Sequence, residues 1–398
     1  MKQKNIAIIG GGPSAMIAAD VLSKFHNVTI YEKNKGIGQK FLVAGKGGFN
    51  LTNSLAGTEL ADKYTPKEFM KEAILDFDSD ALREWFSKLG IETFVGTSGR
   101  VFPKKGIKPA EILNKIKEKL NTQNVKIEYE CEFVGFDENQ NVKIIFKGEA
   151  KTIVADYYIF ALGGASWSIT GSDGKWKKYF DDIGVNTIPF ESSNCGVNIK
   201  WDKHIVENHA GKPLKNISVS VGSTALKGEA LITNYGLEGN VIYPLIPKVR
   251  ELLKIQSKAE IVIDFKPDNT IEDLLKKSST KKTSSKNYGK IFNLKREQLA
   301  LIKSYSTKEE YLSIDLFVRK IKNLSIQVES LRNIEESIST VGGIDTHELN
   351  PDFSLKKFPK IYCIGEMVDW DAPTGGFLLQ GAFSMGHFVA KWVLQKEN

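Results

Sequence analysis

The sequence predicts an α/β fold: a Rossmann-like dinucleotide-binding domain split over both chain ends, with an inserted β-barrel-like domain and a small helical subdomain. Three observations predict it. The chain opens on an apolar strand, a glycine turn and a helix, and the following strand ends on an acid. Two later apolar strands, around Tyr158 and Tyr362, also run into glycines. Between them, from about Ser192, the pattern changes to short β runs separated by turns.

Asn5-Ile6-Ala7-Ile8-Ile9 is the kind of short apolar run found in a buried parallel strand. It leads into Gly10-Gly11-Gly12-Pro13-Ser14-Ala15, which fits G-x-G-x-x-A. Gly10 permits a tight turn, Gly12 lets backbone approach a pyrophosphate, and Ala15 lets the helix pack closely on the strand. The helix from about Ser14 to Phe25 would aim its positive end at the phosphates. Val28-Thr29-Ile30-Tyr31 then delivers Glu32, 22 residues after Gly10, about where a carboxylate accepts hydrogen bonds from an adenosine ribose. An acid there repels a 2′-phosphate, which favours FAD or NAD over NADP.

The next stretch holds five glycines in the thirteen residues from Gly36 to Gly48. Bare N–H groups there can line a phosphate or a ring edge, and Lys40, Lys46 and Asn50 add polar heads; the alternative is a flexible linker. Lys33, Gly38, Gln39 and Gly45 belong to the same candidate cofactor surface. Helices are predicted over Pro66–Phe77, Ser79–Leu89 and Pro109–Leu120. Arg100, in a loop between turn residues, could hold a substrate carboxylate or a flavin carbonyl, or form a surface ion pair.

Val125–Glu130, Glu132–Phe136 and Val142–Phe146 read as a β meander, with Phe133 and Val134 as candidate cofactor contacts. Asp156–Leu162 is a buried strand that opens at Ala161, Leu162, Gly163 and Gly164, and Thr170-Gly171-Ser172-Asp173 is expected to start a helix. No full second G-x-G-x-x-G exists, which argues against a second domain holding NAD permanently. The strand Pro359–Ile364 ends in Gly365 and Glu366, and Gly375-Gly376-Phe377-Leu378 opens a helix running to about Leu394. Glu366 could accept hydrogen bonds from ribityl hydroxyls. The helix start could aim N–H groups at a flavin pyrimidine edge, where charge gathers on reduction.

Within the insertion, strands are expected over Gly196–Trp201, Ile217–Val221, Leu226–Thr233, Asn240–Pro244 and Glu260–Phe265, and helices over Ile271–Lys277, Leu294–Tyr305 and Thr307–Asn323. The expected division is 1–191 with 335–398, then 192–270 with 324–334, and a helical 271–323. At 398 residues, 41% apolar and 26% charged, the composition is that of a soluble globular protein. The net charge of +7 comes from scattered lysines, so nucleic-acid binding is not implied. Cys131, Cys195 and Cys363 form no C-x-x-C pair, which suggests neither disulfides nor a thiolate metal site and fits a reducing cytoplasm. Gly10 to Pro13 and Asp20 interrupt what would otherwise mimic a secretion signal, and no uncharged apolar run reaches membrane-spanning length.

Taken together, these pieces resemble the bacterial FAD flavoproteins of the YhiN, BaiN and aminoacetone oxidase type. The resemblance rests on Gly10 to Ala15 with Glu32, the Gly38-to-Asn53 segment, Gly99-Arg100-Val101-Phe102-Pro103 and Ala161-Leu162-Gly163-Gly164. It extends to Gly228–Gly236, Val341-Gly342-Gly343-Ile344 and Gly365–Gln380. It implies a glutathione-reductase-like FAD domain and a flavin oxidoreductase, without fixing the reaction, since members include an amine oxidase and a reductase of unsaturated steroids. The chain departs from the commoner pattern at Asp369-Trp370-Asp371-Ala372-Pro373 and Gly45-Lys46-Gly47-Gly48.

The expected activity is hydride transfer between flavin N5 and a small substrate in a cavity between the two main domains, with NAD(P)H a candidate transient donor. Lys46 and Arg100 are candidates to steady charge, and Asp369 to accept a proton. The alternatives are a flavin-binding module without turnover, and a tRNA-modifying flavoprotein using Lys281, Lys282, Lys286 and Lys290. Only Tyr288 lies near those lysines to stack a base. The glycine segments contain no His or Cys to bond a flavin covalently. Purified protein should therefore be yellow, and acid precipitation should leave the FAD in the supernatant; flavin retained in the pellet would contradict this.

Overall fold

Strand Asn5–Ile9 is buried from Ile6 onward, so its apolar residues point to both faces of a covered sheet. The computed structural model, which describes residues 2–43, 48–279 and 284–396, places this strand at the centre of five parallel strands. Their order is Ile361–Cys363, Tyr157–Phe160, Asn5–Ile9, Asn27–Glu32, Lys126–Tyr129. Ile8 sits opposite Ile159 on one side and Ile30 on the other. Helix Pro13–Leu22 follows the first strand with Pro13 in its first turn, a position where the missing N–H costs nothing. The long helix Phe377–Lys396 crosses it so closely that a Cβ on Gly386 would lie 2.2 Å from the Ser14 carbonyl oxygen.

The strand near Ile127 departs from the sequence reading. Lys126–Tyr129 does not join the meander but adds to the parallel sheet, from Thr29 opposite Lys126 to Glu32 opposite Tyr129. Glu130, with φ +59°, turns the chain out of that sheet. The meander is Cys131–Phe136, Val142–Phe146 and Glu149–Ile153. The helix expected from Thr170 starts only at Lys177, because Trp167 and Gly171, both with positive φ, isolate Ser168–Thr170 as a single 3-10 turn. Strands Thr52–Asn53, Arg100–Pro103 and Thr93–Val95 make a separate antiparallel sheet.

The chain divides into two compact units, one reaching to Glu191 and resuming at Ser339, the other Ser192–Ile338. The second unit holds seven antiparallel strands. One continuous stretch supplies both of its outer strands: Leu324–Val328 pairs with Ala259–Asp264, and Ser330–Leu331 pairs with Val197–Asn198. Helices between Ile271 and Lys322 share one core with this sheet, through Leu274, Leu301, Phe317 and Ile321 against Ile261 and Ile263. Ser313, in an extended conformation, divides the expected 307–323 helix into Lys308–Leu312 and Ile314–Lys322. The strand expected at Asn240–Pro244 is instead a 3-10 turn leading into helix Ile246–Gln256, with a proline in the first turn of each. Helix Lys203–His209 follows a strand limited to Val197–Asn198, shorter than the expected 196–201. Lys281 and Lys282 lie outside the described residues, and no described helix is long and apolar enough to cross a membrane.

The C-terminal helix is pinned to helix Lys67–Asp76 by Asp76, which meets the Lys391 ammonium and His387 Nδ1, the latter at 3.2 Å. The hydrogen bond with His387, then the Lys391 contact, hold this carboxyl below its ordinary range despite burial. A depressed folded pKa adds stability that is present above the unfolded value of about 3.9 and is lost as pH falls through the folded value. Asp76→Asn should cost about 1–2 kcal/mol at pH 7. In urea denaturation at stepped pH the deficit should shrink below about pH 4; a deficit unchanged down to pH 3 would show that the charge is not what holds the helix.

Candidate functional site

The carboxyl ends of the three adjacent strands, Asn5–Ile9, Tyr157–Phe160 and Ile361–Cys363, all open into glycine. Such strand ends are where open α/β sheets bind ligands. Gly10, at φ +102°, comes so near Ala161 that a Cβ would sit 2.4 Å from its carbonyl oxygen. Gly12 is the reverse case: its φ is an ordinary −78°, and a Cβ would find no protein atom nearer than 4.0 Å. The space before the helix N-terminus is therefore open, with Pro13, Ser14 and Ala15 forming the first turn beneath it.

Glu32 is buried, and Oε2 accepts the Gly11 N–H at 2.8 Å while Oε1 accepts the Asn34 N–H and Nδ2 at 2.8 and 2.9 Å. Burial pushes its carboxyl above the usual value, with the Asn34 and Gly11 N–H groups opposing. Lys33 forms an ion pair with Asp173 at 3.0 Å, and Asn34 Nδ2 also reaches the Thr170 carbonyl. These contacts bring the 168–174 loop beside the end of the second strand. There the Ser172 hydroxyl is buried with no hydrogen-bond partner, 3.2 Å from where a Gly163 Cβ would stand.

Lys40 and Glu366 were expected as separate polar heads, and they meet each other. Lys40 Nζ lies 2.6 Å from Glu366 and 2.8 Å from Ser166 Oγ, and Glu366 also accepts the Thr340 N–H at 2.9 Å. Gly38 donates to the Gly11 carbonyl, and Gln39 begins the short helix that carries Lys40. Gly365, at φ +77°, accepts the Trp370 indole N–H at 2.8 Å and borders Ser14.

The third part of the site is the 374–376 turn before the long helix. Gly376 packs so tightly that a Cβ would lie 2.2 Å from the Thr52 carbonyl oxygen, and Asn53 Nδ2 donates to the Gly375 carbonyl at 3.3 Å. Asn50, with its amide oriented to suit its neighbours, accepts the Gly376 N–H at 2.6 Å. Buried Gln380 anchors this turn, accepting from Thr52 Oγ1 at 2.5 Å and donating to the Phe77 carbonyl at 2.8 Å. Phe377 is buried, its carbonyl accepting from Tyr64, and Leu378 is half-buried beside it. Arg100 Nε stands 3.5 Å from where a Gly375 Cβ would be. Among the described residues its half-buried guanidinium makes no hydrogen bond or ion pair.

Other expected residues fall elsewhere. The Phe133 ring belongs to an aromatic core with Phe136, Phe160 and Tyr179, all at centroid distances of 5.1–5.2 Å, and Val134 is half-buried next to it. Asp369 clamps backbone: its N–H donates to the Ile344 carbonyl at 2.9 Å and Oδ1 accepts from Gly342 at 2.8 Å. Gly45 and Lys46 lie outside the described residues. Sequence reasoning passed over Asn34, Thr340 and the unpartnered Ser172; only Asn34, two residues after the ribose-type acid, carried a local signal.

An open glycine turn, a buried hydroxyl without a partner and a helix N-terminus beside a guanidinium unpaired among the described residues fit the phosphate, ribose and ring of FAD in kind. The profile described as HI0933-like protein Rossmann domain matches residues 4–392. The chain is 25% identical over 407 residues to a 3-dehydro-bile acid delta(4,6)-reductase of Clostridium scindens, covering 97% of this chain and 98% of the relative. It is 23% identical to a ribosomal RNA dihydrouridine synthase of Escherichia coli, over 96% of each. In fold it is similar to the 3-ketosteroid delta1-dehydrogenase of Sterolibacterium denitrificans, with a TM-score of 0.52, 12% identity and 100% of both chains covered. With nearly its whole length matched, the chain belongs to the HI0933-like Rossmann-domain family of flavin-dependent oxidoreductases.

Proposed function

We propose that this protein is a reductase of carbon–carbon double bonds conjugated to a carbonyl, with non-covalent FAD bound over the strand ends described above. Bound FAD would supply hydride chemistry at N5. The protein's part is to bind and orient it. Gly10 to Ser14 would face the pyrophosphate, Glu32 the adenosine ribose, and the 374–376 turn the ring.

The observation that carries the reading is Arg100, a half-buried cation with no hydrogen bond or ion pair among the described residues, beside the N-terminus of a twenty-residue helix. Such a group stabilises an oxygen that gains negative charge, whether on a reduced ring or on a substrate carbonyl. Two relatives support the choice of bond, since a delta(4,6)-reductase and a dihydrouridine synthase are both named for adding hydrogen across a carbon–carbon double bond. We assign Asp369 to holding the 341–345 backbone rather than to proton transfer, because both its N–H and its carboxylate are engaged there.

A second reading, with RNA as the substrate, is favoured by the dihydrouridine synthase relative and by Lys286 and Lys290. Against it, Tyr288 is buried against Phe317 at 4.0 Å and presents no face for a base. RNA binding that weakens steeply with salt in a filter assay would favour this second reading.

Anaerobic stopped-flow separates the possibilities. NADH or NADPH should reduce the flavin, and an enone such as 2-cyclohexen-1-one should reoxidise it faster than oxygen does. Reduction by amines with peroxide release would make the protein an oxidase, and no reduction by any donor would leave a binding module. Arg100→Ala should keep FAD bound and slow turnover about tenfold or more, the scale of roughly 1.4 kcal/mol of lost transition-state contact; unchanged turnover would remove Arg100 from the mechanism.

A further inference from the structure

Strand Arg100–Pro103 alternates, with Val101 and Pro103 buried and Arg100 and Phe102 half-exposed on the other face. Its neighbours add to that second face. Asn53 is the cross-strand partner of Arg100, and Phe94 is the partner of Phe102. The Phe94 and Phe102 rings stack at 5.7 Å with 28° between their planes, and Phe94 is 48% exposed. An aromatic pair of this kind, open to solvent on a sheet face, gives up burial that the core would have rewarded.

The neighbouring main chain is shaped to this pair. A Cβ on Gly96 would press to 3.0 Å from the Phe102 ring, and one on Gly48 would approach its other edge at 3.7 Å. Glycine at both positions lets the main chain run close along two edges of the ring. One face thus carries, in a row, the Gly375 turn, the Arg100 guanidinium, which has no partner among the described residues, and two stacked aromatic rings. Arg100 and Phe102, two residues apart on one strand, are separated by about 6.6 Å along it. That spacing suits one oxygen-bearing ring: an oxygen at the guanidinium and an unsaturated face against phenyl.

We propose that Phe94, Phe102 and Arg100 form a specificity platform that selects flat, conjugated rings bearing a carbonyl or carboxylate oxygen over saturated or open-chain molecules of the same charge. Ring stacking supplies the selection for flatness. The guanidinium supplies the anchor for oxygen. This deepens the proposed reductase reading by naming its substrate class, and it rests on that reading for placing the platform at the substrate side of the cofactor.

The test measures binding without turnover, so it can fail or succeed independently of the reductase reading. Isothermal titration calorimetry of the FAD-loaded protein uses benzoate, a flat ring with a carboxylate, and cyclohexanecarboxylate, its saturated counterpart. Benzoate should bind about tenfold tighter, a difference of roughly 1.4 kcal/mol. Phe94→Leu and Phe94→Ala, which remove the stacked ring at a half-exposed position, should erase that preference while leaving cyclohexanecarboxylate binding unchanged. Arg100→Gln should weaken both ligands alike. Flavin content and melting temperature report that each variant is folded. Equal binding of the two ligands by the wild type, no binding of benzoate, or a preference that survives both Phe94 variants would overturn the proposal.

Discussion

The first unit depends on how closely main chain approaches main chain at the ends of its central strands. Gly10 lies against the Ala161 carbonyl and Gly376 against the Thr52 carbonyl, each at a distance no side chain could occupy. Close approach of this kind buries polar backbone, and every N–H or carbonyl in it must find a partner. The partners are found locally: Gly10 donates to the Tyr31 carbonyl, Ala161 to Ile9, and Gly11 to Glu32. What remains is a wall of small residues with one deliberate opening above Gly12. A phosphate group needs that geometry, because it is held by N–H groups at short range rather than by long side chains.

The rim of this wall is held by interactions between residues far apart in the chain. Gln380 joins Thr52 to Phe77, and Lys40 joins Glu366 and Ser166, so the turn at 374–376 and the short helix at 39–43 are fixed by partners more than a hundred residues distant. The Lys40–Glu366 pair is only partly exposed, at 26% and 19%, and is supported by Thr340. A pair in such surroundings is worth more as a positioning device than as a source of net stability, since desolvation offsets much of its attraction. Arg100 stands out against this background. Beside the paired Lys40 and Glu366, a cation that makes no hydrogen bond or ion pair among the described residues points to a ligand that supplies the anion or carbonyl.

The part of this arrangement legible in the sequence is the part with a local steric cause. Gly10, Gly12, Ala15 and Glu32 each occupy a position whose backbone or size requirement can be read from a dozen neighbours, and the strand–turn–helix–strand order follows. Elements set by tertiary context were less readable. Lys126–Tyr129 looked like the first strand of a hairpin until the left-handed Glu130 separated it from Cys131 and gave it to the parallel sheet. The Phe133 ring completes an aromatic core with Phe136, Phe160 and Tyr179, a packing that its own neighbours in sequence do not encode. The stretch Leu324–Leu331, which supplies both outer strands of the second sheet, carries no mark of that double role in its own residues. Pairings such as Lys40 with Glu366 were invisible for the same reason, since nothing local encodes a partner 326 residues away.

We propose that the opening above Gly12 exists for a cofactor and not for the protein's own packing. Replacing Gly12 with valine tests this directly, because φ is −78° and no protein atom lies within 4 Å of the new Cβ apart from the Ala161 oxygen at that limit. The measurement is FAD affinity of the apoprotein by fluorescence titration, read beside its melting temperature without flavin. The Gly12→Val apoprotein should be as stable as the wild type, while its FAD affinity should fall by about a hundredfold, roughly 2.7 kcal/mol. Wild-type affinity in the Gly12→Val protein would contradict it.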